Sequence, residues 1–354
     1  MPEYYIRQNN LLDFISVLLP NATVVAPTAE KDRNILQEVT EENLYAVNLA
    51  GFRAVEPFKS YLFRLTEKVA QYFGADEPTH GKKMIFLGAR DCDLFAVSVL
   101  DKVLLEGDFV DPYYAANRKN LVLIGADCTT CGKTCFCNMV KGKPFPQKGF
   151  DLNFSPLTDG YVVAVGSVNG QQLIDAHKNL FESAAPEQKT ARDNQRSAVE
   201  KKLAESNHKF TCHCTIDWTE AHKINLENQK AWKTVTKNCV ECSACNFTCP
   251  TCTCFLLLDE GERTRNTGGE RYKVWDGCLK TGYARVAGGS NARPKLFERL
   301  QNRYHCKFDY SSDRLGFYTC VGCGRCIDGC AGKIDMREVY AELVRQVPLS
   351  AKLE

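Results

Sequence analysis

Two stretches of this chain repeat one cysteine spacing, and no other feature restricts what it can fold into so tightly. Cys239-x-x-Cys242-x-x-Cys245-x-x-x-Cys249, followed by Pro250, returns about seventy residues later as Cys320-x-x-Cys323-x-x-Cys326-x-x-x-Cys330. Thiols at this density serve neither an apolar core nor a single reactive nucleophile. The chain holds 19 cysteines in 354 residues. Its start, MPEYYIRQNNLLDFISVLLP, lacks the basic opening of a signal peptide, and its apolar part carries Asp13 and reads as an amphipathic helix. No uncharged apolar run approaches the ~20 residues that span a bilayer. A cytoplasmic location with reduced thiols is therefore expected, and metal ligation is favoured over a disulfide framework.

The repeated spacing is the C-x₂-C-x₂-C-x₃-C run of bacterial two-cluster ferredoxins. Three closely spaced thiolates on a tightly wrapping loop reach three corners of one iron–sulfur cubane, while the fourth is aimed at the neighbouring cluster. Two [4Fe–4S] clusters are expected, one on Cys239, Cys242, Cys245 and Cys330, the other on Cys320, Cys323, Cys326 and Cys249. Gly322, Gly324 and Gly329 are expected to allow close backbone approach and to aim amide N–H groups at sulfur. The second run carries Ala331 where proline is common. Zinc is the competing metal, but a structural zinc takes four ligands, usually in two separated pairs, and two matching runs overfill that scheme.

Residues 1–185 read as an α/β domain. Helical period runs through Leu11, Leu12, Phe14, Ile15, Leu18 and Leu19, and again through Phe58, Tyr61, Leu62, Leu65, Val69 and Tyr72. KKMIFLGA (82–89), NLVLIGAD (120–127) and YVVAVGS (161–167) read as buried strands. Residues 186–206 are polar and read as a helical linker, with a surface helix inside one continuous domain as the rival reading. Residues 207–354 are expected to form an α-helical, ferredoxin-like dicluster domain with an insertion between the cysteine motifs. Strands are hard to find there, and the end is an amphipathic helix through Met336, Val339, Tyr340, Leu343, Val344 and Val347. A net charge of +2 with mixed signs marks neither a nucleic-acid surface nor an anionic-membrane surface.

Five cysteines lie in the α/β half. Cys92 follows the first central strand and Cys128 the next, at one sheet edge if the two strands are parallel, which is where ligands gather. A third cluster on Cys92, Cys128, Cys135 and Cys137 is expected, with Cys131 as the rival to Cys128 or Cys137; the competing reading is small buried hydrophobes. Cys252, Cys254 and Cys278 either complete a further metal site, line the clusters, or pack. Cys212 and Cys214 form a weak pair, and Cys306 reads as structural.

Other signals fail. IGADCTTCGKT places six residues between Gly125 and Gly132, where a phosphate loop has four. No G-x-G-x-x-G occurs, which argues against a Rossmann site for NAD or FAD within the chain. The histidines at 80, 177, 208, 213, 222 and 305 show no paired ligand spacing.

Beyond the two runs, CPTCTCF (249–255), VWDGC (274–278), GGSNARP (288–294) and RYHCKFDY (303–310), with ARDCDLFAV (89–97), DPYY (111–114) and CFC (135–137), carry a resemblance over most of the chain. The sequence resembles the iron–sulfur protein family that includes the beta subunit of cytosolic sulfhydrogenases and the iron–sulfur electron-transfer component of anaerobic sulfite reductase. The resemblance implies a relay of single electrons between a flavin- and NAD(P)H-binding subunit and a catalytic metal-centre subunit, of nickel–iron hydrogenase or sirohaem sulfite reductase type. It also implies low-potential clusters. Two rivals are a self-contained reductase with its active site in the α/β domain, and a zinc-stabilised assembly module.

Overall fold

A computed structural model of the chain describes residues 2–71, 83–211, 229–261 and 269–345. It divides into two compact units, Met1–Phe63 with Glu77–Leu203, and Arg64–Asp76 with Ala204–Glu354.

The first unit is built on an eight-stranded mixed sheet. Its strands are β1 (Glu3–Arg7), β2 (Thr23–Glu30), β3 (Arg33–Glu38), β5 (Met84–Ala89), β6 (Leu121–Ala126), β7 (Leu152–Pro156), β8 (Gly160–Val165) and β9 (Glu182–Ser183), in the order β3-β2-β5-β6-β7-β8-β1-β9. The centre, β2-β5-β6-β7, is parallel. Parallel strands are buried on both faces, so they read as unbroken apolar runs rather than as alternation, and all six residues of β6 are buried. The helix Gln8–Leu18 packs on one face through Leu11, Phe14, Ile15 and Leu18, with Phe14 stacked on Phe154 at 6.1 Å. Phe86 points to the opposite face and meets Phe58 at 4.7 Å.

The second helical period is corrected. Only Lys59–Leu62 is helical, and Thr66–Gln71 is a strand, β4; Tyr72 lies outside the described residues. The second unit supplies the reason. There β10 (Phe255–Gly261) and β11 (Gly269–Trp275) form an antiparallel pair, and β4 joins the free edge of β11, with Val274 opposite Thr66. A distant partner overrides local periodicity. The pair β10–β11 also corrects the expectation that strands are scarce after residue 207. Phe255, Leu256, Leu257 and Leu258 are all exposed along β10, so no inside-outside alternation marks it.

The rest of the second unit is helical: Gln229–Val235, Leu296–Phe308, Tyr310–Leu315 and Met336–Arg345, with two short turns of helix, Ala244–Phe247 and Arg325–Asp328, inside the cysteine runs. An aromatic chain ties them together. Trp232 meets Tyr304 at 5.3 Å, Tyr304 meets Tyr340 at 5.4 Å, and Tyr340 meets Phe308 at 5.0 Å. The final helix buries Met336, Val339, Tyr340 and Leu343 as its period requires, while Val347 lies outside the described residues. The polar stretch after residue 185 belongs to one helix, Pro186–Thr211. No described helix is long and apolar enough to cross a membrane.

Candidate metal centres

The two cysteine runs share a backbone as well as a spacing. In the second run Gly322 and Gly324 have positive φ, 63° and 75°. In the first run the corresponding Glu241 and Ser243 take φ of 56° and 57°, a left-handed conformation that costs a side chain of order 1 kcal/mol each. Each run therefore wraps left-handed, cysteine, left-handed, and then starts a helical turn at Ala244 or Arg325. The wrap turns amides toward sulfur: the Glu241 N–H donates to the Cys239 thiol, and the Gly322 N–H to Cys320. Such donors stabilise negative charge on sulfur. Gly329 is different. Its φ is −82°, and an added Cβ would find only ordinary contacts, the nearest at 3.4 Å, so nothing there demands glycine.

The runs are crossed. One cavity, about 500 Å³ of atom-free space counting its open mouth, is lined by Cys239, Cys242 and Cys245 of the first run together with Cys330 and Cys326 of the second. Cys330 accepts the Ile334 N–H at 3.2 Å. Gly332 brings it there: a Cβ at Gly332 would lie 2.1 Å from the Asn238 carbonyl oxygen, so only glycine lets the tail of the second run close on the base of the first. Reciprocally, Cys249 stands near Cys320 and Cys326, each of which feels its charge. Burial pushes the Cys320 thiol up to about 12, against the pull of the Gly322 N–H. A thiol raised in this way keeps its proton until a metal displaces it.

A second thiol group adjoins the first. The Asn246 amide, 2% exposed, donates to Cys278 at 3.3 Å and faces Cys252 at 3.9 Å. The Cys278 thiol donates to Cys254 and holds it down at about 6, a shift that pushes Cys278 up. Gly277 sets this contact, since a Cβ there would meet Ser243 Oγ at 2.6 Å. Cys306 is exposed on the helix Leu296–Phe308. Cys212, Cys214 and the histidines at 80, 213 and 222 lie outside the described residues. Among the described residues, no three His, Cys, Asp or Glu side chains are arranged to hold a single metal ion.

In the first unit, β5 and β6 are parallel, so Cys92 and Cys128 both follow the same sheet edge. Cys92 sits in the first turn of the helix Asp91–Leu104. Cys128, Cys135 and Cys137 come together: burial pushes Cys128 up to about 12, with Arg90 opposing and Cys135 reinforcing, and Cys137 feels both of the others. Cys131 is placed apart, with Lys202 as its charged neighbour. The edge is braced by buried Asp127, whose carboxylate accepts from Arg196 at 2.7 and 3.2 Å and from Asn153 at 2.8 Å.

Comparison with known proteins bears on the second unit first. Residues 238–334 match a family described as a 4Fe-4S dicluster domain, a span that begins one residue before Cys239 and includes Cys330. Over nearly its whole length the chain is similar to the sulfhydrogenase 2 subunit beta of Pyrococcus furiosus, with 29% identity over 338 residues, 94% of this chain and 95% of the relative. Crossed runs, a shared cavity and these two matches agree on a 4Fe-4S dicluster region within a chain that is similar, along nearly its whole length, to a sulfhydrogenase beta subunit.

Proposed function

We propose that this chain is the electron-transfer subunit of a multisubunit oxidoreductase. One [4Fe–4S] cluster is assigned to Cys239, Cys242, Cys245 and Cys330, the other to Cys320, Cys323, Cys326 and Cys249, in a ferredoxin-like arrangement. The observation that carries the reading is the cavity shared by three thiols of one run with the fourth thiol, Cys330, and Cys326 of the other. A bound cubane supplies one-electron chemistry there. The chain's own part is to hold the sulfurs, aim the Glu241, Gly322 and Ile334 N–H groups at them, and keep water back with Tyr304, Leu300 and Met336 of the cavity wall.

The relative's description as a sulfhydrogenase subunit supports an assembly in which this chain lies between a flavin- and NAD(P)H-binding subunit and a catalytic metal-centre subunit. The exposed apolar edge strand β10 suits a member of an assembly more than a free chain. A third cluster on Cys128, Cys135 and Cys137 with Cys92 is part of the proposal, supported by the convergence of the first three and by the shared sheet edge. A cytoplasmic location and a helical linker over 186–206 complete it.

The test is anaerobic purification with its native partners. Iron and inorganic sulfide in equal amount, cubane electron paramagnetic resonance signals and no turnover of NAD(P)H or sulfite by the isolated chain are expected. Turnover by the chain alone would replace the relay with the reductase reading, and zinc in place of iron would select the assembly module.

A further inference from the structure

The helix Leu296–Phe308 carries two buried cations, and among the described residues neither has an acidic partner. Arg303 is 3% exposed and Lys307 is 2% exposed. Elsewhere in this unit buried basic groups meet carboxylates: Arg299 pairs with Glu241 at 2.8 Å, and Arg337 with Asp335 at 2.6 Å. No described carboxylate lies within ion-pair distance of Arg303 or Lys307. Their partners belong instead to the cysteine sites. Arg303 Nη1 donates to Cys252 Sγ at 3.5 Å, and the guanidinium helps line the cavity that holds Cys239, Cys242, Cys245, Cys330 and Cys326. Lys307 Nζ donates to the Thr251 carbonyl at 3.2 Å and to Thr251 Oγ1 at 2.8 Å, and that hydroxyl stands 3.4 Å from Cys249 Sγ.

Burying an unpaired charge is costly, and a fold tolerates it only when an opposite charge arrives from somewhere. Each thiolate-ligated cubane is an anion, and reduction adds one more negative charge to it. Residues 303 and 307 are one helical turn apart, so both cations stand on one face of the helix. Arg303 faces thiols of both ligand sets, Cys245 and Cys326 among them, and of the two sets Lys307 faces only the one that includes Cys249.

We propose that Arg303 and Lys307 are the counter-charges of the two clusters and set their reduction potentials, Arg303 acting on both and Lys307 on the cluster that Cys249 helps to hold. This rests on the two-cluster reading above. They are positioning residues: they ligate no iron, and they favour the reduced cluster by placing positive charge beside it in a poorly screened interior.

The experiment is a redox titration of the complete, iron-loaded protein followed by electron paramagnetic resonance. R303Q is expected to lower the ratio of reduced to oxidised cluster at least tenfold at fixed solution potential, 59 mV for a one-electron couple, for both signals. K307Q moves only the signal that C249A removes. R303K keeps the charge and holds both ratios within threefold, which a purely structural role would not predict. Iron content is measured in each variant. If R303Q fails to retain iron, K307Q decides alone. Full iron content with unmoved potentials in K307Q overturns the proposal, as does a shift toward easier reduction. Absence of any cubane signal in the unsubstituted protein instead refutes the two-cluster reading, and this proposal with it.

Discussion

Iron counting in double variants tests whether the cysteine runs exchange their fourth ligands. Cys242 and Cys330 line the same cavity, and Cys249, which does not line it, lies close enough to Cys320 and Cys326 of the opposite run for each to feel its charge. Replacement by alanine removes a thiolate without offering an oxygen ligand. Each single variant, C242A, C330A or C249A, forfeits one cubane, about four irons, or about one if a three-iron cluster survives. The doubles separate the schemes. C242A with C330A strikes one cluster twice, so the loss stays near about four irons instead of the additive about eight. C242A with C249A strikes both clusters and loses about eight. If each run held its own cluster, the two results would be exchanged. The assay is iron and sulfide per chain after anaerobic reconstitution, with spin counting on the reduced protein; any third cluster adds a constant to every count. Finding the larger loss in C242A with C330A, and the smaller in C242A with C249A, would refute the crossed assignment.

Three further outcomes are expected. W232A, which removes a fully buried ring packed on Tyr304, destabilises the second unit by about 3–5 kcal/mol, seen as loss of visible absorbance at lower guanidinium; a change under about 1 kcal/mol would contradict the packing described. R196A leaves the buried Asp127 carboxylate without its cation and costs about 3 kcal/mol in urea unfolding, with R196K intermediate; equal stability of R196A and the unsubstituted chain would sink this. Alkylation of Cys254, which is half-buried and held down by the Cys278 thiol, speeds up as pH rises through about 6, where the thiolate forms. C278A removes the donor and moves that midpoint up toward the ordinary thiol range, and an unmoved midpoint argues against the pair.

Legibility from sequence followed the range of the forces involved. Strands β5, β6 and β8 were readable because burial on both faces leaves continuous apolar runs, MIFLGA, LVLIGA and GYVVAV. β4 was not, because its partner lies about 200 residues away in β11, and Leu65 and Val69 happen to fit a helical period. β10 shows four consecutive apolar residues to solvent, so alternation had nothing to report. The cysteine spacing pointed to the two candidate centres, and Gly322 and Gly324 to close backbone approach there, while their positive φ is a finding of the structure. Glu241 and Ser243 make the same wrap without glycine, and only laying one run over the other reveals them. Gly277 and Gly332 gave no local hint, since what each approaches, Ser243 or Asn238, is far along the chain. Arg303 and Lys307 carry no sequence signal of their own, since their burial depends on which face the helix Leu296–Phe308 turns inward.

The strand β4 also carries a consequence for biosynthesis. It leaves the ribosome long before β11, to which it hydrogen-bonds. At roughly 5–20 residues per second, the intervening stretch of chain takes about 10–40 s to translate. Through that interval Thr66–Gln71 has no edge to join, and it stays available to any unsatisfied strand or to a chaperone. The β11 hairpin that receives it leads straight into Gly277 and Cys278, which seat against the first cysteine run. The first cysteine run thus waits for residues 269–278 before it is fully seated, and a polypeptide released before them exposes an orphan strand that quality control can recognise.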